Sequence, residues 1–323
     1  MAALLDKLVA KVCDHRDSVP VFRIQQRSLD EMEGFAIRLA GSLAGEDTGD
    51  AKSHVARGQS RSNILLAEGV RASVFHASGA IVAKAALAPM EHLIGDRSDK
   101  AALTQSVVAA AKRLGLDRVV GAGEQLLFER LWQIKAAGMD GSGVRSPEVV
   151  CRAVGAFRRY LHDLPVWGRA SAFVELAGEN RIGAVGLDWR PIVAEPFDRV
   201  KVIAPEQAAR AVLGDLNGRL PGGSFGEEDF DVGLFSLGYL SMPKRHEQSV
   251  FAPVYVAQLE RRGWSSTNYI IIVGGSETAY ESYCRKTSSP PRDAAKPKPG
   301  DKPAKPQGGH GWDPMAKPKL CHD

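Results

Sequence analysis

The stretch Phe157–Gly168, FRRYLHDLPVWG, is the most informative part of the sequence because it holds a strand, a turn and the start of a second strand. Successive side chains of a β-strand point alternately to the two faces of its sheet. The alternation places Arg158 and Tyr160 on one face of the sheet and Arg159 on the other. Further strands are predicted at about residues 170–177 and 182–189, and the Gly-Glu-Asn step between them predicts a hairpin turn. We therefore predict an antiparallel sheet in the middle of the chain.

Four segments on either side of this sheet have the apolar spacing or the capping residues of helices. They begin near residues 2, 28, 98 and 205, and short runs of strand-forming residues follow the last three. A helix that covers one face of a curled antiparallel sheet is a stable two-layer arrangement. We therefore predict an α+β fold of repeated helix-plus-antiparallel-sheet units, with units at residues 1–95, 96–200 and 201–284.

The C-terminal segment, residues 285–323, differs in composition from the rest of the chain. It holds eight prolines and many lysines, and it has few aliphatic residues. Such a segment cannot bury enough apolar surface to offset the entropy lost on ordering. We predict a disordered, basic tail that follows the folded body.

The formal net charge of +4 comes from this tail. From residue 285 onward, nine Lys and Arg residues oppose four Asp and Glu residues, which leaves the body near −1. A near-neutral body lacks the positive surface that binding to nucleic-acid phosphates requires. We therefore predict that the partner is not a nucleic acid.

The sequence also predicts a cytoplasmic protein that does not contact membranes. No apolar run reaches the ~18 residues that a membrane-spanning helix needs. Asp6 and Lys7 interrupt the apolar stretch at the N-terminus, where a signal peptide would need an unbroken one. The four cysteines form no Cys-x-x-Cys pair, so we predict thiols, with disulfides as the alternative.

Two segments resemble a known family. Tyr160–Gly168 resembles the strand and turn of cystatin-like propeptide modules, the FTP and PepSY modules that precede thermolysin-family metalloproteases. His162 and Asp163 stand where that family usually has Asn-Gly. Phe251–Val256 is similar to a strand of the related YycH-like proteins. The resemblance implies a cystatin-like fold that binds a protein, and it implies no catalytic residues.

Motifs for bond-making chemistry are weak in this sequence. Residues 222–226 match the Gly-x-Ser-x-Gly pattern of serine hydrolases, but they follow a predicted helix and a proline rather than a strand. The acidic residues that come next would oppose an oxyanion. The chain has no His-Glu-x-x-His metal motif and no phosphate-binding glycine loop. We predict no enzymatic activity, no cofactor and no bound metal.

Five residues are candidates for binding a protein partner. Tyr160 and Trp167 flank the turn within residues 157–168, and Lys244 and Arg245 lie in a charged loop between two apolar strands. Trp312 is an aromatic residue in the basic tail, where it would serve as a docking anchor. We therefore predict a non-catalytic protein-binding module, either a peptidase inhibitor or a chaperone-like regulator.

An alternative function remains open at this point. The chain would then be a precursor or substrate whose tail is modified or processed, and the folded body would act as a leader for the modifying enzyme. The Gly308-Gly309 step would mark the processing point. The sequence leaves the oligomeric state undetermined.

Overall fold

A computed structural model represents the protein. It describes residues 2–14, 16–44, 53–66, 69–87, 91–95, 99–169, 171–220, 226–262, 268–278 and 280. The chain divides into two units, Met1–Thr287 and Ser288–Asp323. The predicted disordered tail and its Trp312 lie outside the described residues.

Four α-helices lie in the described part of the chain: α1 Ala2–Val9, α2 Leu29–Ala44, α3 Lys100–Arg113 and α4 Pro205–Arg219. The helix predicted to begin near residue 28 is α2, and it starts with a capping box: the Ser28 amide donates to Glu31 Oε2 at 2.8 Å and the Glu31 amide donates to Ser28 Oγ at 3.2 Å. Asp99 caps α3 through two backbone amides of its first turn. Helix α4 begins at Pro205, which has no N–H group to leave unpaired at this position.

Fifteen strands make up the rest of the described framework. They are β1 Ser18–Arg23, β2 His54–Arg57, β3 Arg61–Leu65, β4 Arg71–Phe75, β5 Ile81–Lys84, β6 Glu124–Ala136, β7 Val149–Leu161, β8 Leu164–Trp167, β9 Ala172–Leu176, β10 Ile182–Leu187, β11 Asp198–Lys201, β12 Phe230–Leu240, β13 Val250–Phe251, β14 Pro253–Arg261 and β15 Asn268–Gly274. The predicted Gly-Glu-Asn hairpin turn joins β9 to β10 and is confirmed.

The strands form one large sheet and one small sheet. The large sheet has twelve strands in the order β15-β14-β12-β8-β7-β9-β10-β5-β4-β3-β2, and β6 pairs with β7 beside this path. Adjacent strands in this sheet are antiparallel, except β8 and β12, which run parallel to each other. The small sheet has the order β11-β1-β13.

The predicted fold of repeated helix-plus-antiparallel-sheet units is wrong. The described part of the protein is mainly β, and its four helices do not alternate with separate sheets. Strands from different predicted units pair with one another: Ala184 of β10 lies opposite Lys84 of β5, and Tyr239 of β12 lies opposite Val166 of β8. The local apolar pattern gives each element its type but does not determine which strand edges pair, because that depends on contacts distant in sequence.

Two apolar cores lie on the same face of the large sheet. The first core joins α1, α4 and β1 to β12, β14 and β15, and the second joins α2 and α3 to β3–β5, β9 and β10. Phe157 belongs to the second core and Leu161 to the first. These two residues are four apart on β7 and therefore project from the same face. Among the described residues, no helix combines enough length and apolarity to cross a bilayer.

Candidate functional site

The opposite face of the large sheet carries none of the four described helices, and we call it the helix-free face. The strand register assigns its side chains, because residues opposite one another in paired strands project to the same side. From one end of the sheet towards its middle, the apolar and aromatic side chains on this face are Ile270, Ile272, Val254, Val256, Leu234, Leu240, Trp167, Pro165, Tyr160 and Leu127.

Trp167 lies in the middle of this row and is held from several sides. The Arg158 guanidinium lies 4.6 Å from the centre of its ring. Arg158 in turn donates to the Val166 carbonyl at 3.0 Å and to Glu129 Oε1 at 2.6 Å. A Cβ atom at Gly238 would approach Trp167 Nε1 to 2.5 Å, so only glycine lets the indole lie against β12. The half-buried ring is therefore fixed in one orientation.

Tyr160 shares the helix-free face with Trp167. Tyr160 lies opposite Pro165 in the pairing of β7 with β8, and Pro165 and Trp167 are two residues apart on one strand. Both aromatic side chains are half-buried. The structure therefore brings these two predicted partner-binding residues to one surface.

Isoleucines at the edge of the sheet extend this apolar surface, and sequence reasoning did not single them out. Ile270 is 50% exposed and Ile272 is 41% exposed, and both lie on β15. Val256 of β14 lies opposite Ile272. The signal in the sequence that could have identified them is the uncharged run Asn268–Gly274. When one face of such a strand carries no helix, every second apolar side chain projects into solvent.

Lys244 and Arg245, the other described candidates, lie in the loop between β12 and β13. The Lys244 ammonium group lies 4.2 Å from the centre of the Phe75 ring. The backbone carbonyl of Lys244 accepts a hydrogen bond from Ser78 Oγ at 2.8 Å. Gln248 fastens the two ends of the loop, with bonds to the Leu240 carbonyl and the Val250 carbonyl. The loop is therefore fixed at the turn between β4 and β5, and it begins beside Trp167, whose carbonyl accepts a hydrogen bond from the Ser241 amide at 2.7 Å.

The arginines that cluster along β7 are buried and paired with carboxylates. Arg159 and Glu124 lie 2.5 Å apart, and their side chains are 1% and 2% exposed. Burial lowers the pKa of Arg159 below its usual value. Arg158 pairs with Glu129 at 2.6 Å, and Arg152 has a carboxylate of β9 at 3.6 Å. These cations are therefore neutralised inside the protein instead of forming a basic surface.

A Ser-His-Glu cluster joins α2 to β3 and β4, but its hydrogen bonds do not suit nucleophilic catalysis. The Ser62 hydroxyl donates its one hydrogen to Glu33 Oε1 at 2.5 Å. His76 Nε2 lies 2.9 Å from Ser62 Oγ and therefore acts as the donor in that second hydrogen bond. A catalytic histidine has to accept the serine proton. Hydrogen bonds from Arg57 hold the pKa of Glu33 below its usual value, and Ser62 and Glu33 are buried.

A polar cleft lies between the two cores, and it is small. It encloses about 120 Å³, and its walls include Gln25, Arg27, His76, Arg190 and Gln248. Sites for small molecules usually enclose about 300–1,000 Å³ and have mainly apolar walls. Within the described ranges, His, Cys, Asp and Glu side chains form no group of three placed to hold a metal ion. Residues 222–225 of the Gly-x-Ser-x-Gly pattern lie outside the described residues.

No family model matches the chain, and no curated protein matches it. Among solved structures, the chain is similar to the crystal structure of an uncharacterised protein from Eubacterium rectale ATCC 33656, with 10% sequence identity and a TM-score of 0.47. The match covers 84% of this chain and 94% of that chain. A likeness at this level assigns neither a family nor an activity, so the resemblance to FTP and PepSY modules stays a prediction.

Proposed function

We propose that this protein is a non-catalytic protein-binding module and that its docking surface is the helix-free face around Trp167. One observation carries the proposal: an apolar row across six neighbouring strands has a fixed tryptophan near its centre and no described helix above it. Contiguous exposed apolar surface on a folded protein typically marks an interaction site.

The residues at the centre of this surface are those that contribute most to protein–protein binding. Tryptophan, tyrosine and arginine are enriched among the residues whose truncation costs more than ~2 kcal/mol of binding free energy. Here Arg158 stacks on Trp167, and Tyr160 lies on the next strand. Because Trp167 is already held in place, binding does not have to restrict its rotamers, and this lowers the entropy lost on association.

Several features support a binding role over a catalytic one. The Ser62 hydroxyl gives its hydrogen to Glu33, so the neighbouring histidine has no proton to accept from it. The cleft beside His76 is smaller than an ordinary substrate site. The β7 arginines are paired internally, which favours a protein partner over a nucleic acid.

The proposed partner is a protein with an apolar surface that fits this face, and a peptidase or a tail-modifying enzyme is the class to examine first. That class comes from the resemblance of Tyr160–Gly168 to propeptide modules. The cytoplasm is the proposed compartment, which agrees with the free thiols of Cys13 and Cys151.

The test is capture of partners from the native host followed by titration with purified components. Trp167→Ala should weaken binding of the captured protein at least about 30-fold, which corresponds to ~2 kcal/mol. Leu127→Asp places a charge on an exposed position of the same face, 47% exposed, and should weaken binding without affecting folding. Val193→Ala truncates a comparably exposed apolar residue, 45% exposed, in the segment between β10 and β11, and should bind like the unmodified protein. Equal affinity of all four proteins would refute the proposed surface.

A further inference from the structure

The described strands leave five edges in the two sheets, and these edges differ in how they are protected against pairing with another chain. Proteins protect such edges with charges, bulges or very short strands. Edge strand β6 carries Glu129, Arg130 and Lys135 and has two register shifts. Strands β2 and β11 have four residues each and include charged side chains, and β13 has two residues.

Strand β15 has none of these protections. Its seven residues, NYIIIVG, include no charged residue and no proline. Its pairing with β14 is continuous over the whole strand, without a register shift. β15 is also rich in β-branched and aromatic residues, the residue types that most favour extended structure. Within the described part of the chain, β14 is the strand that pairs with it.

The backbone groups on the outer side of β15 can be identified. Arg219 of α4 donates to the Ile270 carbonyl at 3.3 Å, and that carbonyl therefore points away from β14. In an antiparallel pair, the N–H and C=O of one residue point to the same side, and the side alternates along the strand. The N–H and C=O groups of Asn268, Ile270 and Ile272 therefore point outward, and those of Tyr269 and Ile271 point to β14.

We propose that two copies of this chain associate through antiparallel pairing of their β15 strands about a two-fold axis at Ile271. In that register, Ile270 faces the partner's Ile272, and this pair exchanges both of its outward N–H···O bonds. The two-fold axis repeats the pair, and Asn268 faces Gly274 of the partner subunit. The two large sheets then form one continuous sheet. This inference concerns self-association and is independent of the proposed binding at Trp167.

The second copy fits this edge because the strand is complementary to itself. Every pair in the two-fold register is uncharged, so no like charges face each other. The exposed Ile270 and Ile272 of each copy meet those of the other on the helix-free face, which removes apolar surface from water. Arg219 has to release one long hydrogen bond, and it retains its ion pair with Asp215 at 2.6 Å.

The chain's own C-terminal segment is a poor alternative occupant of this edge. Eight prolines lie between residues 290 and 318. Proline has no N–H group to donate to a neighbouring strand and is confined to special positions in sheets.

The oligomeric state in solution is the first test. We expect light scattering to give twice the chain mass of 34.7 kDa for the full-length protein. Ile270→Lys adds the charge that other edges carry, and Ile272→Pro removes an outward N–H group; each should weaken association at least about tenfold. Val193→Lys is the exposed control and Trp167→Ala the control for the proposed function, and both should remain dimeric. A monomeric full-length protein, or a dimer that survives both β15 substitutions, would overturn the proposal.

Disulfide trapping tests the register itself, in protein with Cys13, Cys284 and Cys321 changed to serine. Residues opposite one another in a hydrogen-bonded pair have Cα atoms about 5.5 Å apart, within disulfide range, whereas diagonal neighbours are about 7–8 Å apart. A mixture of Ile270→Cys and Ile272→Cys should therefore cross-link on oxidation, and neither variant alone should. Cross-linking of one variant alone, or none in the mixture, would contradict the two-fold axis at Ile271.

Discussion

The two faces of the large sheet carry similar residues in different surroundings. On β7, Arg159 projects to the helix-covered face and Arg158 to the helix-free face, and each pairs with a glutamate of β6. The Arg159 pair is 1% and 2% exposed, whereas Glu129 beside Arg158 is 28% exposed. The rings of Trp189 and Phe251 and the Arg190 carbonyl enclose Arg159 on the helix-covered face, whereas water reaches Glu129 on the helix-free face. Two matched pairs of substitutions test this difference, and a third pair compares a buried with an exposed carboxylate.

The largest effect is expected at the buried ion pair. Glu124→Gln leaves the Arg159 cation buried beside a neutral amide, and we expect a loss of about 3–5 kcal/mol of unfolding free energy. Glu129→Gln makes the same change on the helix-free face, where water reaches the carboxylate, and should cost about 1 kcal/mol or less. Urea unfolding followed by circular dichroism measures both values. If the two losses were equal, the faces would not differ in how far they exclude water.

Truncating one leucine on each face should give a somewhat smaller contrast. Leu237 is 2% exposed on the helix-covered face, and Leu237→Ala should cost about 2–5 kcal/mol because it leaves a cavity. Leu127 is 47% exposed on the helix-free face, and Leu127→Ala should change stability by about 0.5 kcal/mol at most. Denaturant unfolding of both variants measures the two losses. At an unchanged m-value, the shift of the midpoint concentration gives the change in unfolding free energy. A large loss for Leu127→Ala would mean that another part of the chain covers this face.

The smallest effect concerns acid stability. Arg57 lowers the pKa of Glu33 in the folded protein, so this carboxylate stabilises the fold above its unfolded-state pKa near 4.5, and the contribution is lost as pH falls through the lowered folded-state value. Glu33→Gln should therefore flatten the decline of melting temperature below about pH 4.5. Asp231→Asn is the control, because the pKa of Asp231 is also lowered by an arginine, Arg262, but both side chains are exposed. An unchanged acid profile for Glu33→Gln would contradict a stabilising role for the buried carboxylate.

Sequence reasoning located the elements of this fold much better than their arrangement. The alternation around Tyr160 predicted which β7 side chains share a face, and the capping residues at Ser28 predicted where α2 begins. It did not predict that β8 would pair with β12, more than sixty residues later in the chain. Pairing across such separations depends on which edges meet during folding, and each amphipathic segment is compatible with several partners.

The sequence predicted only part of the candidate site, because some of its residues come together only through pairing of strands that are distant in sequence. Tyr160 and Trp167 are close in sequence, so one strand and one turn place them together. Ile270 and Ile272 join them only because β15, β14 and β12 pair with β8. The charge of Lys244 and Arg245 drew attention to a loop whose ends Gln248 fastens in place.

The first core has a consequence for how the protein is made. It joins Leu4 and Leu8 near the start of the chain to Ile271, whereas the second core is complete by residue 189. At roughly 5–20 residues per second, a ribosome needs about 13–53 seconds to make the residues between Leu8 and Ile271. During that interval α1 has emerged, but the strands that bury its leucines do not yet exist. Nascent chains should therefore expose this short apolar helix, which makes it the segment that a ribosome-associated chaperone would encounter.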